Sequence, residues 1–193
     1  MTNCMDTSVV VALIAGAVSA VGWIVNHILT DRRDRIRQKT EASLKHVERQ
    51  LEELYGPMAF LLYEARRTYQ DLLDTLKRDY VFIKGEPLPE QELKTWLFWA
   101  EKSFLPRNEQ IKELLTSKTH LIEGTRFPDS YVAFLDHQNS WSIQHKRWKE
   151  EGVEYSWHSK INWPVEFERE VIETFEFLKA KHTALLGKLT QNK

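Results

Sequence analysis

The feature that most constrains this chain is an uncharged apolar segment near its amino terminus. Residues Thr7 to Leu29 read TSVVVALIAGAVSAVGWIVNHIL and contain no Asp, Glu, Lys or Arg over 23 residues. As an α-helix the segment would be roughly 34 Å long, enough to cross a hydrocarbon core of about 30 Å. Trp23 lies near its carboxyl-terminal end, where amphipathic aromatic side chains favour the headgroup level. The sequence therefore predicts a transmembrane anchor within residues 1–30.

The charges that flank this segment predict its orientation. No Lys or Arg precedes it, whereas residues 31–50 carry seven basic and four acidic side chains. Because basic residues tend to stay on the cytoplasmic side, we expect the amino terminus outside and the large carboxyl-terminal part on the cytoplasmic side of the membrane. The same basic side chains would contact anionic headgroups. Those nearest the segment are Arg32, Arg33, Arg35, Arg37 and Lys39.

Two other interpretations of the segment compete with a membrane span. Val18-Ser19-Ala20 loosely resembles the small-residue site at which a signal peptide is cleaved. However, no basic residue precedes the apolar run, and apolar residues continue beyond Ala20. The second alternative is the core helix of a soluble domain, although such a helix rarely stays uncharged over 23 residues.

Small residues recur along one face of the predicted span. Ala12, Gly16 and Ala20 are spaced four apart, and small side chains at this spacing let two membrane helices approach closely. The pattern predicts self-association into a homo-oligomer. Its alternative explanation is that Ala and Gly are simply common in membrane helices.

The remainder of the chain predicts an all-α fold. We expect a juxtamembrane helix over residues 31–55 and a cytoplasmic helical domain over 56–193, together forming a bundle of about five to six helices. Gly56-Pro57 predicts a helix break, because Gly permits unusual backbone angles and Pro suits the first turn of a new helix. The helix that begins near residue 90 is expected to stop before Pro106. Apolar residues at helical spacing then predict helices near 57–78, 90–105, 108–122, 128–151 and 164–189.

The sequence carries no signature of catalysis. It lacks GxGxxG, GxxxxGK[ST], GxSxG and HExxH, and no His has Glu three residues before it, as a di-iron helical bundle requires. The single cysteine, Cys4, excludes an intrachain disulfide and a cysteine-based metal cluster. We therefore predict no catalytic residue, no metal and no cofactor. The formal net charge of −1 makes nucleic acid an unexpected partner.

The most suggestive cluster of side chains lies on the predicted fifth helix. His137, Trp141, His145 and Trp148 follow spacings of four, four and three, so they share one helical stripe. Such a stripe is able to line a pocket for a planar small molecule such as a nucleotide base. The alternative is an aromatic face that packs against neighbouring helices.

Five short motifs resemble a set of bacterial membrane-anchored helical proteins. They are Leu54-Tyr55-Gly56-Pro57, Phe104-Leu105-Pro106-Arg107-Asn108, His120-Leu121-Ile122-Glu123-Gly124, Phe134-Leu135-Asp136-His137 and Leu185-Leu186-Gly187. The resemblance implies one amino-terminal span, a compact helical domain and a bacterial inner-membrane setting. It implies no catalytic residue, because Gly56-Pro57 and Pro106 to Asn108 have the character of helix junctions.

Three functions are compatible with these features. The first is a non-catalytic interaction or scaffold protein that holds a cytoplasmic protein partner at the membrane. The second is a membrane-perturbing effector, for example in anti-phage defence, whose cytoplasmic domain senses a ligand or partner and whose spans oligomerise. The third is an unrecognised enzyme that uses pocket histidines such as His137 and His145.

Overall fold

The computed structural model of the protein describes residues 7–83, 86, 88–153, 155 and 162–191, with the backbone alone at 7–10, 12 and 191. Over these residues the chain is helical and contains no strand, which confirms the predicted all-α class. The α-helices are α1 (Thr7–Gln50), α2 (Gly56–Leu76), α3 (Glu90–Trp99), α4 (Leu105–Ser117), α5 (Asp129–Glu151) and α6 (Val165–Gln191).

Two of the predicted helix breaks are wrong. A π-helical turn over Leu51–Tyr55 joins α1 to α2, and a second over Ala100–Phe104 joins α3 to α4, so each pair forms one continuous helix. The part of the chain that the structure describes therefore contains four continuous helices. Each π turn ends two residues before a proline, Pro57 or Pro106.

The π turns explain how a helix continues through these prolines. In a regular α-helix the Pro ring clashes with the carbonyl four residues earlier, and one hydrogen bond is lost. Here the backbone N–H of Gly56 donates to the Leu51 carbonyl and that of Leu105 to the Ala100 carbonyl, each five residues back. Each π turn shifts the hydrogen-bond register by one residue immediately before the proline. A π bulge of this kind accommodates an interruption of the regular helical hydrogen bonds.

Gly56 is required by the close approach of backbone within the first π turn. A Cβ atom at this position would lie 2.5 Å from the Leu51 carbonyl oxygen and 3.9 Å from the ring of Phe175 on α6. The first distance is far below van der Waals contact, so any side chain would force the turn to shift. The glycine that predicts a break from sequence thus allows the wider turn to close.

The helices divide into two compact units. One comprises residues 1–45 with 184–193, and the other comprises residues 46–183. In the first unit, the described side chains of the apolar segment are exposed from Val11 to Leu29. Val18 is 67% exposed and Trp23 is 69% exposed. In soluble proteins, large apolar side chains with this exposure occur singly on the surface and not in a continuous run.

The second unit contains the hydrophobic core. Helix α4 packs on α2 and α5, and α2 also packs on α3. Apolar side chains from α2, α4, α5 and α6 are fully buried: Leu62, Leu72, Ile111, Phe134, Phe167 and Leu178. The rings of Phe134 and Phe167 stack with centroids 4.4 Å apart and connect α5 to α6.

Only some of the helix ends lie where the sequence predicts them. Helix α5 begins at Asp129, as predicted, and ends at Glu151, before Gly152, which adopts a left-handed conformation with φ 67°. Helix α4 instead ends at Ser117, five residues before its predicted end, and a 3₁₀ turn follows over Thr119–Leu121. Gly124, with φ 96°, lies in the bend after that turn.

Candidate functional site

An aromatic cluster lies where α3, the second π turn and α5 meet. The indole rings of Trp96 and Trp141 stack with centroids 5.8 Å apart, and Phe104 lies 5.5 Å from Trp96. Both indole N–H groups donate to the hydroxyl oxygen of Tyr155, at 3.4 and 3.3 Å. Burial raises the pKa of Tyr155, so this hydroxyl stays protonated at neutral pH.

A cavity of about 580 Å³ opens beside this cluster within residues 46–183. This volume falls in the range of sites that bind small molecules. Most of the side chains around it are aromatic or charged. They come from both proline-containing helices, from α5, from the start of α6 and from the segments that precede α3 and α6. The lining residues are Ala65, Arg66, Tyr69, Tyr80, Val81, Phe82, Trp96, Phe104, Arg107, Asn108, His137, Trp141, Asn162, Trp163, Val165 and Glu168.

Arg107 is the buried charge of the cavity wall. Its side chain is 6% exposed, and its Nη2 donates to the hydroxyl oxygens of Thr68 (2.9 Å) and Ser103 (2.8 Å). The Glu64 carboxylate lies 3.6 Å from Nη2, beyond hydrogen-bond distance, and is half exposed. The buried Nε of Arg107 has no hydrogen-bond partner among the described residues. The described residues therefore compensate this guanidinium only in part.

A second charged group lies on the α6 side of the cavity. Glu168 forms an ion pair with Arg66 of α2 and accepts a 3.4 Å hydrogen bond from the indole N–H of Trp163. The Arg66 side chain is 72% exposed, whereas that of Glu168 is 16% exposed. The cation paired with Glu168 is therefore Arg66.

The predicted histidine and tryptophan stripe is divided by the structure. His137 and Trp141 line the cavity, with their ring centroids 5.8 Å apart, and His137 also meets Trp163 edge-on at 5.7 Å. His145 and Trp148 lie further along α5 and are not among the lining residues. His145 Nε2 is 3.3 Å from the Glu101 carboxylate, and its ring packs on Trp148 at 5.3 Å.

Glu101 is the acidic partner of this second half of the stripe. A hydrogen bond from Lys149, and a weaker contribution from His145, lower the pKa of Glu101 despite partial burial. The end of the stripe is therefore held by an ion pair between the second π turn and α5, where Lys149 Nζ lies 2.9 Å from Glu101.

A polar network at the other end of this unit holds the turn after α4. The buried Gln50 side chain donates to the Leu121 carbonyl (2.9 Å) and to Glu123 (2.8 Å). Lys181 of α6 donates to Glu123 at 3.2 Å, and the Glu123 backbone N–H donates to the Tyr55 hydroxyl. Burial raises the pKa of Glu123, but the hydrogen bonds from Gln50 and Lys181 outweigh burial and lower it.

The predicted membrane residues lie on α1 and are exposed where the structure describes their side chains. A Cβ added at Gly16 would meet no atom within 4 Å, Ala20 is exposed, and the side chain of Ala12 lies outside the described residues. The basic residues after the segment are exposed as well. Arg35 pairs with Asp31 at 2.9 Å and Arg37 with Glu41 at 2.8 Å.

Sequence reasoning missed the charged and polar part of the cavity. Phe104, Arg107 and Asn108 belong to the FLPRN motif, whose last three residues have the character of a helix junction in the sequence. The side chains of Phe104, Arg107 and Asn108 nevertheless line the cavity. The available signal was an arginine and an asparagine at helical spacing from a buried phenylalanine, although a surface interpretation fits the same spacing. Within the described part of the chain, no three His, Cys, Asp or Glu side chains are placed to hold a metal ion.

The comparisons with known proteins identify no relative. No family model, no curated protein and no solved structure matches this chain. The resemblance carried by the five short motifs therefore stays a prediction, and the function is inferred from the residues and their geometry.

Proposed function

We propose that this chain is a membrane-anchored interaction protein without catalytic activity. Its apolar amino-terminal helix spans the cytoplasmic membrane of a bacterium, and its helical domain binds a protein partner on the cytoplasmic side. The carrying observation is a helix whose apolar side chains are exposed at every described position from Val11 to Leu29. Exposed apolar surface costs about 25 cal/mol per Å² in water, so a helix of this kind requires lipid or a partner.

The charges after the helix support this orientation. Arg32, Arg33 and Lys39 form no ion pair among the described side chains, whereas Arg35 and Arg37 pair only with acidic residues of their own helix. Exposed basic groups beside a span attract anionic headgroups, each contributing about 1 kcal/mol near the surface. The cluster thus favours retention of the following domain in the cytoplasm.

Membrane attachment has a direct test. We expect the full-length protein to remain in the pellet when membranes are washed at high pH and centrifuged, and to be released only by detergent. Crosslinking in intact cells followed by solubilisation should then recover a defined protein at fixed stoichiometry. Recovery of the full-length protein in the wash supernatant would contradict the anchor, and a purified protein that crosslinks to nothing would contradict the interaction function.

A second function, a membrane-perturbing effector, is favoured by the open face at Gly16. No atom fills the space beside Gly16, and Ala20 is exposed on the same face, so a second copy of the helix is able to approach closely. Overexpression should then be toxic, and Gly16→Leu should abolish the toxicity. Gly22 is equally open but lies on a different face, so Gly22→Leu is the matched control and should stay toxic. Absence of toxicity from the unmodified protein would leave the interaction function alone.

A further inference from the structure

The cavity beside Trp96 and Trp141 has one chemical feature that a hydrophobic core does not need. It contains a guanidinium, Arg107, that is 6% exposed and whose nearest carboxylate lies at 3.6 Å. A buried charge is expensive unless it is paired and fully hydrogen-bonded. Arg107 donates two hydrogen bonds to hydroxyl oxygens and has a 3.6 Å ion pair with Glu64. These contacts offset only part of the desolvation, because the buried Nε has no partner among the described residues. An anion within the cavity would supply the missing compensation.

The other walls of the cavity favour a flat, apolar molecule. Phe104 lies in the second π turn, Trp141 lies on α5, and Trp163 lies two residues before the start of α6. The indole N–H groups of Trp141 and Trp163 are already engaged, by Tyr155 and Glu168 respectively. These two indoles therefore present chiefly ring surface to a ligand, and aromatic rings pack on such surfaces in stacked or edge-on geometry.

The geometry points to a binding site for a planar aromatic molecule that carries one acidic group. The ring system would pack between the indoles and Phe104, and the carboxylate or phosphate would lie beside Arg107. A cavity of about 580 Å³ accommodates a two-ring aromatic acid or a nucleoside monophosphate with room for water. This inference does not depend on the membrane anchor, so either proposal is able to fail without the other.

The experiment measures binding to the detergent-solubilised full-length protein by titration calorimetry and by quenching of tryptophan fluorescence. Two acidic probes, indole-3-acetate and adenosine monophosphate, are each compared with a neutral counterpart, indole-3-acetamide and adenosine. We expect at least one acid to bind and its neutral counterpart to bind at least about tenfold more weakly, since one charged hydrogen bond contributes that much. The two acids distinguish a carboxylate from a phosphate ligand.

Variants assign the charge preference to Arg107. Arg107→Met should weaken binding of the acid about tenfold or more and leave the neutral counterpart unchanged. Its thermal midpoint without ligand should be equal or higher, because replacing an under-compensated buried charge by an apolar side chain is often neutral or stabilising. Arg67 is exposed on α2 and does not line the cavity, so Arg67→Met is the matched control and should bind as the unmodified protein does.

A second variant keeps the proposal testable if Arg107→Met fails to fold. Trp163→Leu removes ring surface and should weaken both members of a pair while preserving the preference for the acid. The proposal is overturned if neither acid binds at millimolar concentration, if acids and neutral counterparts bind equally, or if Arg107→Met lowers the thermal midpoint and leaves acid binding intact. That last result would make Arg107 a structural residue.

Discussion

The apolar segment Thr7–Leu29 and the helical unit 46–183 use their apolar side chains in opposite ways. In the segment, Val18, Trp23 and their neighbours are exposed, and no charge interrupts the run. In the helical unit, Phe134, Phe167 and other large side chains are fully buried, and the buried polar groups are concentrated in a few networks. The first region exposes its apolar side chains, whereas the second buries them in a core of its own.

This difference determines what kind of information each region carries. Transfer of a helix into lipid depends mainly on the sum of its side-chain transfer free energies, which composition alone gives. The lining of a cavity depends on which side chains meet in three dimensions. One residue inserted into a helix changes which side chains meet. Charged substitutions should therefore act mainly on the apolar segment, and substitutions that disturb packing should act mainly on the helical unit.

The largest effect is expected from charges placed within the apolar segment. Ile14→Lys together with Val18→Lys should move the protein from membranes to the supernatant, because each lysine near the centre of a span costs roughly 2.5–3.5 kcal/mol. Ile143 is 58% exposed on α5, and Ile143→Lys is the matched control that should remain with membranes. Membrane fractionation with immunoblotting measures both. A double-lysine variant that still pellets with membranes would remove the distinction between the regions.

The next effect is a core deletion in the helical unit. Phe134→Ala should lower the free energy of unfolding of this unit by about 3–5 kcal/mol, because Phe134 is fully buried and stacks on Phe167. Ile14→Ala, in the exposed segment, should leave that free energy unchanged. Urea unfolding in detergent, followed by far-ultraviolet circular dichroism, measures both. Equal losses from the two substitutions would show that one core includes both regions.

A smaller effect is expected at the first π turn. Gly56→Ala should destabilise the protein by roughly 1–3 kcal/mol, because its Cβ would lie 2.5 Å from the Leu51 carbonyl oxygen. Gly187 is also helical but has open space around it, so Gly187→Ala should instead stabilise its helix by up to about 1 kcal/mol. Thermal unfolding compares the two. If both changes stabilise, the wide turn is not required.

The smallest effect concerns pH. The folded-state pKa of Glu123 is lowered, so the unfolded state binds its proton more readily. Glu123 therefore contributes stability that is fully present above its unfolded pKa of about 4.3 and is lost as the pH falls through the lower folded value. Glu123→Gln should reduce the loss of stability between pH 7 and about pH 3, as measured by urea midpoints. Exposed Glu113→Gln should not change that loss.

The fold was predictable wherever local signals and tertiary structure agree. The start of α5 at Asp129 and its end before Gly152 follow from residues that favour helix ends. Gly56-Pro57 and Pro106 carry an equally clear local signal for a break, but the structure continues through both by widening one turn. The hydrogen-bond register of the turn before each proline decides whether the helix ends or continues. No residue type indicates that register in the sequence.

The candidate site was predictable only in part, for a geometric reason. His137 and His145 share a helical stripe but are eight residues apart, which separates them by about 12 Å along the axis. The cavity includes the first and not the second. Arg107 enters the cavity wall immediately after the second π turn, which adds a residue and rotates everything that follows. A regular α-helix built from the sequence would place Arg107 on a different face of the helix.

The central claim, that Thr7–Leu29 crosses the membrane and leaves the helical unit inside, is tested most directly by labelling cysteines in intact spheroplasts. Cys4 is the single cysteine, and it precedes the segment. A membrane-impermeant maleimide should label Cys4 in intact spheroplasts. In a Cys4→Ser, Ser117→Cys variant it should label the exposed position 117 only after lysis. Labelling of position 117 before lysis, or of Cys4 only after it, would contradict the account.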